Sequence, residues 1–316
     1  MRCVILDDYQ GAAVSGADWS VLGGVAVSAV REHLADDDAV VAALEGAAIV
    51  VVMRERTPLP RAVLERLPDL RLVVTSGLRN ASIDLAACAD LAITVCGTAS
   101  SSTPPVELTW ALVLGLSRHL VREASALRGG GPWQSTLGTD LAGATLGVLG
   151  LGRIGTRVAA VGRAFGMDVL AWSPHLTPER AAAAEVRLAP GKRELLAESD
   201  VVTLHLVLSE STRGIVGADD LAAMRASAYL VNTSRAGLVD TAALVAALEA
   251  GTIAGAGLDV YDEEPLPAGH PLRTAPNVLA TPHLGYVTVG NYRTYFAQAV
   301  EDIAAWLAGS PIRLLT

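Results

Sequence analysis

Short apolar runs alternate along the chain with segments whose apolar positions recur at helical spacing. In the first third the runs are Cys3–Leu6, Val25–Val30, Ile49–Met53, Leu72–Thr75 and Ile93–Cys96. Between them, Ala35–Leu44, Pro60–Leu67 and Ile83–Ala89 carry the helical spacing. The central block continues with Thr145–Leu149, Val169–Trp172, Val201–Leu206, Tyr229–Val231, Ala256–Val260 and Val278–Ala280. Such alternation predicts α/β architecture with parallel sheets covered on both faces by helices. The polar stretch Ser100–Pro105 precedes a long periodic segment, Val106–Leu127, which reads as one helix. Its Pro pair suits a helix start, and Gly129-Gly130-Gly131-Pro132 ends it. A second loop runs from Glu263 through Pro271, and Asn291–Leu307 reads as a final amphipathic helix.

Composition narrows the class. The chain has 316 residues, of which 51% are hydrophobic, enough for about two domains. With 24 Lys and Arg against 33 Asp and Glu, the net charge is −9, so the cationic surplus that nucleic-acid binding needs is missing. No apolar run reaches the ~18 residues of a membrane span. The opening MRCVILDDYQ has two acidic residues by position 8 and is not expected to be a secretory signal. Cys3, Cys88 and Cys96 show no metal-ligand spacing and are expected to be reduced, half-buried thiols of a cytoplasmic protein.

Gly150-Leu151-Gly152-Arg153-Ile154-Gly155 fits G-x-G-x-x-G. In a chain with 30 glycines, chance alone gives roughly 0.3 such matches, so the bare pattern is weak. Its context is stronger, with an apolar strand immediately before it and the helix-compatible Arg153–Phe165 immediately after. There the first glycine permits a tight turn, the second lets backbone approach a pyrophosphate, and the third brings helix to sheet. Ser173 stands where a carboxylate usually accepts from the ribose 2′-hydroxyl, and Asp168 lies at the other end of that strand. NAD and NADP both remain open on this reading.

Four further segments fit the same frame: Asp200–Leu206, Val231–Asp240, Gly257–Pro265 and Thr281–Tyr286. Together with Gly150–Gly155 they resemble the D-isomer-specific 2-hydroxyacid dehydrogenase family over nearly the whole chain. The resemblance implies a Rossmann-type dinucleotide domain, residues 101–285, inserted into a flavodoxin-like substrate domain built from residues 1–100 and 286–316. It implies a homodimer built by the Val106–Leu127 helix. It also implies hydride transfer between a nicotinamide cofactor and a small 2-keto or D-2-hydroxy acid.

Carried over by motif, Arg235 is the catalytic arginine, whose planar fork would hold the substrate carboxylate. His283 is the acid/base, and Glu264 orients it and stabilises its imidazolium. Asp259 matches the residue that receives the nicotinamide carboxamide, and Thr233 and Gly285 match neighbours of the cofactor ring. Gly150, Gly152, Arg153, Ile154, Gly155, Ser173 and His205 complete the expected cofactor contacts. Ser76, Gly77 and Leu78 would present backbone to the substrate carboxylate. Arg54, after a first-domain strand, would select substrates with a second anionic group. No metal is expected.

Each residue also has a blander reading. An isolated loop arginine is usually a solvated charge, a lone histidine after proline is usually a turn residue, and His205 could be a satisfied core histidine. The joint order of Arg235, Glu264 and His283, each following or ending a strand, favours the site. Departures from the family pattern are Ala236 in place of Gly, Val207 in place of Pro, and Arg79 in place of an acidic or small residue. Two alternatives stay open: a nicotinamide-sensing binding protein resembling corepressors, and a related formate- or phosphite-type dehydrogenase.

Overall fold

The computed structural model describes residues 1–315; Thr316, the last position of the expected substrate domain, lies outside them. The chain divides into two compact units, Met1–Ser101 together with the segment from Val287 on, and Ser102–Tyr286.

The first unit contains β1 (Arg2–Ile5), β2 (Ala26–Ala29), β3 (Ile49–Val52), β4 (Leu72–Thr75) and β5 (Thr94–Gly97), all parallel in the order β2-β1-β3-β4-β5. Ile49-Val50-Val51-Val52 and Leu72-Val73-Val74-Thr75 are buried along their whole length, as central strands covered on both faces must be. Edge strand β2 instead alternates exposed and half-buried positions. Helix Val289–Leu307 packs against β4 and β5. Strand order reverses between β1 and β3, the flavodoxin-like arrangement whose crevice lies beyond the carboxyl ends of those two strands. All three cysteines are fully buried rather than half-buried, and burial pushes Cys88 and Cys96 up to about 11, which leaves them inert.

The second unit holds β6 (Thr145–Leu149), β7 (Asp168–Trp172), β8 (Arg187–Leu188), β9 (Val201–Leu204), β10 (Tyr229–Asn232), β11 (Gly255–Leu258) and β12 (Val278–Ala280). Their order is β12-β11-β10-β9-β6-β7-β8, again parallel throughout. This is the doubly wound dinucleotide-fold order, with its switch point between β6 and β9. Register brings the strand ends level: Leu149 pairs with Leu204, Asn232 with Leu204 and Leu258, and Leu258 with Ala280. Gly150, His205, Thr233, Asp259 and Thr281 therefore leave the sheet along one edge.

One sequence expectation is corrected here, and one strand was not foreseen. The Val106–Leu127 segment is not one helix but two, Thr103–Ser117 and Leu120–Arg128. Between them His119 takes a left-handed φ of 49°, and Thr139 N–H donates to the Ser117 carbonyl, drawing off the helix end. Apolar periodicity continues across the break, which is why the pattern alone missed it. The first helix buries Val106, Trp110, Leu112, Val113 and Leu116, whereas the second buries nothing. Strand β8 was unforeseen because two exposed edge residues, Arg187 and Leu188, carry no apolar run.

Candidate active site

At the switch point of the second unit, Gly150 follows β6 with φ 106°. A Cβ there would lie 2.6 Å from the His205 carbonyl carbon, so only glycine lets the loop pass the end of β9. A Cβ at Gly155 would run into the Gly150 carbonyl, so the helix Arg153–Ala164 can start only with glycine in its first turn. Gly150 N–H donates to Trp172 O at 2.8 Å, fastening the loop to the end of β7. Around Gly152 the space is open, and this N-cap residue offers the helix no side-chain cap. The first-turn N–H groups, which lack intrahelical acceptors, therefore face an open turn of the kind that can hold an anionic group.

His205 continues β9, its N–H donating to Leu149 O at 2.7 Å. The residue as a whole is half-buried, but Nε2 is shut off from solvent and makes no hydrogen bond among the described residues. Burial lowers its pKa to about 4, so the ring is neutral. An orphaned ring nitrogen beside the glycine loop fits a site completed by a ligand.

Along the same strand edge lie the residues expected to act in proton transfer. Asn232, at the end of β10, accepts Ser234 N–H with its amide oxygen and donates its Nδ2 to Arg235 O at 2.9 Å. Ser234 Oγ donates to Leu206 O, so the turn that presents Arg235 is tied to the adjacent loop. The Arg235 side chain is half-buried and donates Nη1 to Ser234 O. Ala236 has none of the positive φ that would demand glycine, so this departure from the family pattern introduces no backbone strain. Thr233 Oγ1 lies 2.8 Å from Thr109 Oγ1.

Asp259 follows β11 and is fully buried. Its Oδ1 accepts Thr281 Oγ1 and Leu284 N–H at 2.6 and 2.7 Å, and Oδ2 accepts Gly285 N–H at 2.8 Å. Burial pushes this carboxyl above its usual range. Within the loop so anchored, His283 adopts a left-handed φ of 52°, which costs a non-glycine residue about 1 kcal/mol. Its Nδ1 lies 2.6 Å from Glu264 Oε2, while Glu264 Oε1 accepts Tyr261 N–H at 2.9 Å. The Tyr261 hydroxyl reaches the carbonyls of Leu258 and Thr281, linking the strand ends that carry the two partners. Tyr286 meets the His283 ring edge to face, with centroids 5.4 Å apart. A carboxylate at Nδ1 fixes the Nδ1–H tautomer, leaving Nε2 as the nitrogen that can exchange a proton. Tyr261 belongs to the Gly257–Pro265 motif, yet its positioning role rests on a backbone N–H that no residue pattern reveals.

In the first unit the candidate substrate groups form a cluster of their own. Arg54, with φ 55°, donates its N–H to Ser76 Oγ at 2.9 Å and Nη1 to Ser76 O at 3.4 Å. Asn80 Nδ2 donates to Arg54 O and to Thr75 Oγ1. Gly77 has φ 92° and its Cα faces Arg54 Nη1 so closely that a Cβ would collide with it. Its N–H donates to Thr98 Oγ1. Leu78 is exposed. Asn80 closes the segment that the sequence aligned with the substrate contacts, but its side-chain bonds and Thr98 were not foreseen, since lone polar residues after strands carry no distinguishing signal.

The chain belongs to the D-isomer specific 2-hydroxyacid dehydrogenase family: the model of that family's NAD binding domain matches residues 110–285. It is 38% identical over 258 residues to a glyoxylate reductase of Aeropyrum pernix, covering 78% of this chain and 76% of that protein. It is also 38% identical over 263 residues to a D-3-phosphoglycerate dehydrogenase of Methanocaldococcus jannaschii, covering 82% of this chain but only 50% of the relative. Among solved structures, a phosphoglycerate oxidoreductase from Vibrio cholerae superposes with a TM-score of 0.93 at 38% identity, covering 98% of this chain and 100% of that one. No helix among the described residues is long and apolar enough to cross a membrane, and no group of His, Cys, Asp and Glu is arranged to hold a metal ion.

Proposed function

We propose that this protein interconverts a small 2-keto acid and its D-2-hydroxy acid, with the Ser102–Tyr286 unit binding the nicotinamide cofactor and the other unit contributing substrate contacts. The observation that carries the reading is the His283–Glu264 pair at 2.6 Å, held in a unit whose switch point bears an open glycine loop. When bound, the cofactor supplies or accepts the hydride at the substrate's second carbon. His283 Nε2 gives a proton to the carbonyl oxygen as reduction proceeds, or takes it from the hydroxyl in oxidation. Glu264 holds the imidazole in one tautomer and counters the charge of the imidazolium. Arg235 grips the substrate carboxylate and polarises the neighbouring carbonyl, a task for which its fixed fork is suited. In the first unit the expected substrate contacts are the backbone around Ser76 and Gly77 and the Arg54 guanidinium, Arg54 favouring a second anionic group. Relatives named for phosphoglycerate support that preference. We assign NAD or NADP as cofactor and a homodimer as the working assembly, with Leu120, Val121 and Leu127, exposed in one copy, covered by a second.

Purified protein assayed for NADH and NADPH oxidation against a panel of 2-keto acids tests the reading. Turnover of at least one acid is expected; cofactor binding without any turnover would favour a sensor instead.

A further inference from the structure

The turn after β7, next to the glycine loop, carries a charge arrangement that the hydride chemistry does not use. Strand β7 ends at Trp172, and Ser173 opens a tight turn in which Leu176 N–H donates to Ser173 O at 3.1 Å. Helix Pro178–Ala183 follows. From its third residue, Arg180 doubles back: Nη2 donates to Leu151 O at 3.2 Å, inside the glycine loop, and Nη1 to His175 O at 3.4 Å. The guanidinium therefore bridges the loop after β6 and the turn after β7. These two long bonds leave three of its five N–H donors uncommitted.

The balance of charge around it is one-sided. Asp168, the only acid on β7, sits at the strand's start and is taken by Arg187 at 2.7 Å. Glu179 is turned onto its own backbone N–H and the Thr177 hydroxyl, which hold its carboxyl below the usual range. Arg153, exposed at the first residue of the helix after the glycine loop, adds a second cation. Arg180 and Arg153 have no carboxylate partner among the described residues, whereas Arg187, on the neighbouring strand, has two. In a doubly wound fold the adenosine ribose lies at the end of the second strand, where a carboxylate binds the 2′-hydroxyl and repels a 2′-phosphate. Here that position is a serine hydroxyl, with a fork-shaped cation held at His175 O, two residues further along the turn.

We propose that Arg180, assisted by Ser173 and Arg153, forms a subsite for the 2′-phosphate of NADPH, so that this protein binds NADPH in preference to NADH. The proposal rests on the dehydrogenase reading, because it requires a dinucleotide on the Gly150–Gly155 loop. Arg180 is the residue that reads the phosphate: its planar donors suit bidentate recognition, and its hold on Leu151 O fixes it beside the loop. Arg153, exposed at the helix start, contributes charge.

Binding, rather than turnover, gives the test. Purified protein is titrated calorimetrically with NADPH and NADH, and with the half-molecules 2′,5′-ADP and 5′-AMP, which carry no nicotinamide. The parent should bind NADPH about tenfold or more tighter than NADH, and 2′,5′-ADP tighter than 5′-AMP, as a charge-assisted contact implies. Arg180→Ala should weaken NADPH and 2′,5′-ADP by about tenfold or more while changing NADH less than about threefold; the retained NADH affinity reports a folded site. Arg180→Lys should recover part of the loss, since it keeps charge but not the fork. Ser173→Asp should reverse the preference. Equal weakening of both cofactors by Arg180→Ala, or tighter NADH than NADPH in the parent, would overturn the subsite and leave the dehydrogenase reading intact. Failure to bind either cofactor would overturn both.

Discussion

His283 Nδ1 and Glu264 Oε2 stand 2.6 Å apart, although each comes from a different strand end and their loops are shaped by other residues. Asp259 anchors both flanks of the histidine through Thr281, Leu284 and Gly285. Tyr261 N–H holds the second glutamate oxygen. If Nε2 is the proton donor, His283→Ala should lower kcat for keto-acid reduction by about 10² or more, the scale of lost general acid catalysis. Cofactor affinity, measured by titration, should stay within about twofold if, as proposed, the Gly150–Gly155 loop holds the pyrophosphate. Unchanged kcat would remove His283 from the chemistry.

On the proposed reading Glu264 acts through His283 as a positioning residue. Glu264→Gln keeps an oxygen for Nδ1–H but removes the countercharge for imidazolium, so kcat should drop by about tenfold or more with little change in KM. The decisive measurement is the double variant. Combining Glu264→Gln with His283→Ala should cost no more than His283→Ala alone, because the glutamate then has nothing to position. Additive losses would mean that Glu264 acts independently.

Arg235→Lys keeps the positive charge and discards the fork. A grip on the substrate carboxylate through paired N–H donors predicts higher KM and lower kcat together, with a combined loss in kcat/KM of about 10² or more. Steady-state kinetics at fixed saturating cofactor checks this. A change confined to cofactor KM would move Arg235 out of the substrate end.

What the residue pattern reveals, and what it hides, follows from how local each feature is. Ile49–Val52 and Val201–Leu204 read as strands because a parallel strand covered on both faces must be apolar throughout, a property of a few consecutive residues. Gly150 and Gly155 read as a turn and helix start for the same reason. The break at His119 hid because a left-handed residue interrupts the backbone without interrupting the apolar pattern. Strand β8 hid because an edge of two exposed residues needs no apolar side chain. At the site, the types and order of Arg235, Glu264 and His283 are visible in motifs. The Tyr261 N–H, the Leu284 and Gly285 N–H groups held by Asp259, and the Leu151 carbonyl reached by Arg180 are backbone atoms, and backbone atoms are the same at every position of the sequence.

Arg54 offers a test of substrate choice. Its guanidinium packs over Gly77 and donates to Ser76 O, and it lies 3.7 Å from Glu55. Arg54→Ala should reduce kcat/KM for a keto acid carrying a second anionic group by about tenfold or more, while pyruvate changes by less than about threefold. The comparison must be made within one preparation, so that any general destabilisation affects both substrates equally. Equal losses would assign Arg54 a structural role in the loop that Asn80 and Ser76 hold.

His205 links the cofactor loop to pH-dependent stability. Its pKa falls from 6.5 to about 4 on burial, so between those values the unfolded chain binds a proton that the folded chain refuses. Stability therefore rises with pH across that window, is complete above it, and is lost as pH falls toward 4. The full shift corresponds to at most about 3 kcal/mol. Asp302 in the other unit, pushed up to about 6 by burial, contributes with the opposite sign: its folded form holds a proton that the unfolded form releases, so ionising it on the way to pH 6 costs stability. Comparing the parent with His205→Asn separates the two, since Asp302 is common to both. The parent's unfolding midpoint minus the variant's should rise as pH goes from 4 to 6.5 and stay constant above that window. Parallel pH curves would show that the ring is protonated as readily in the folded protein as in the unfolded chain.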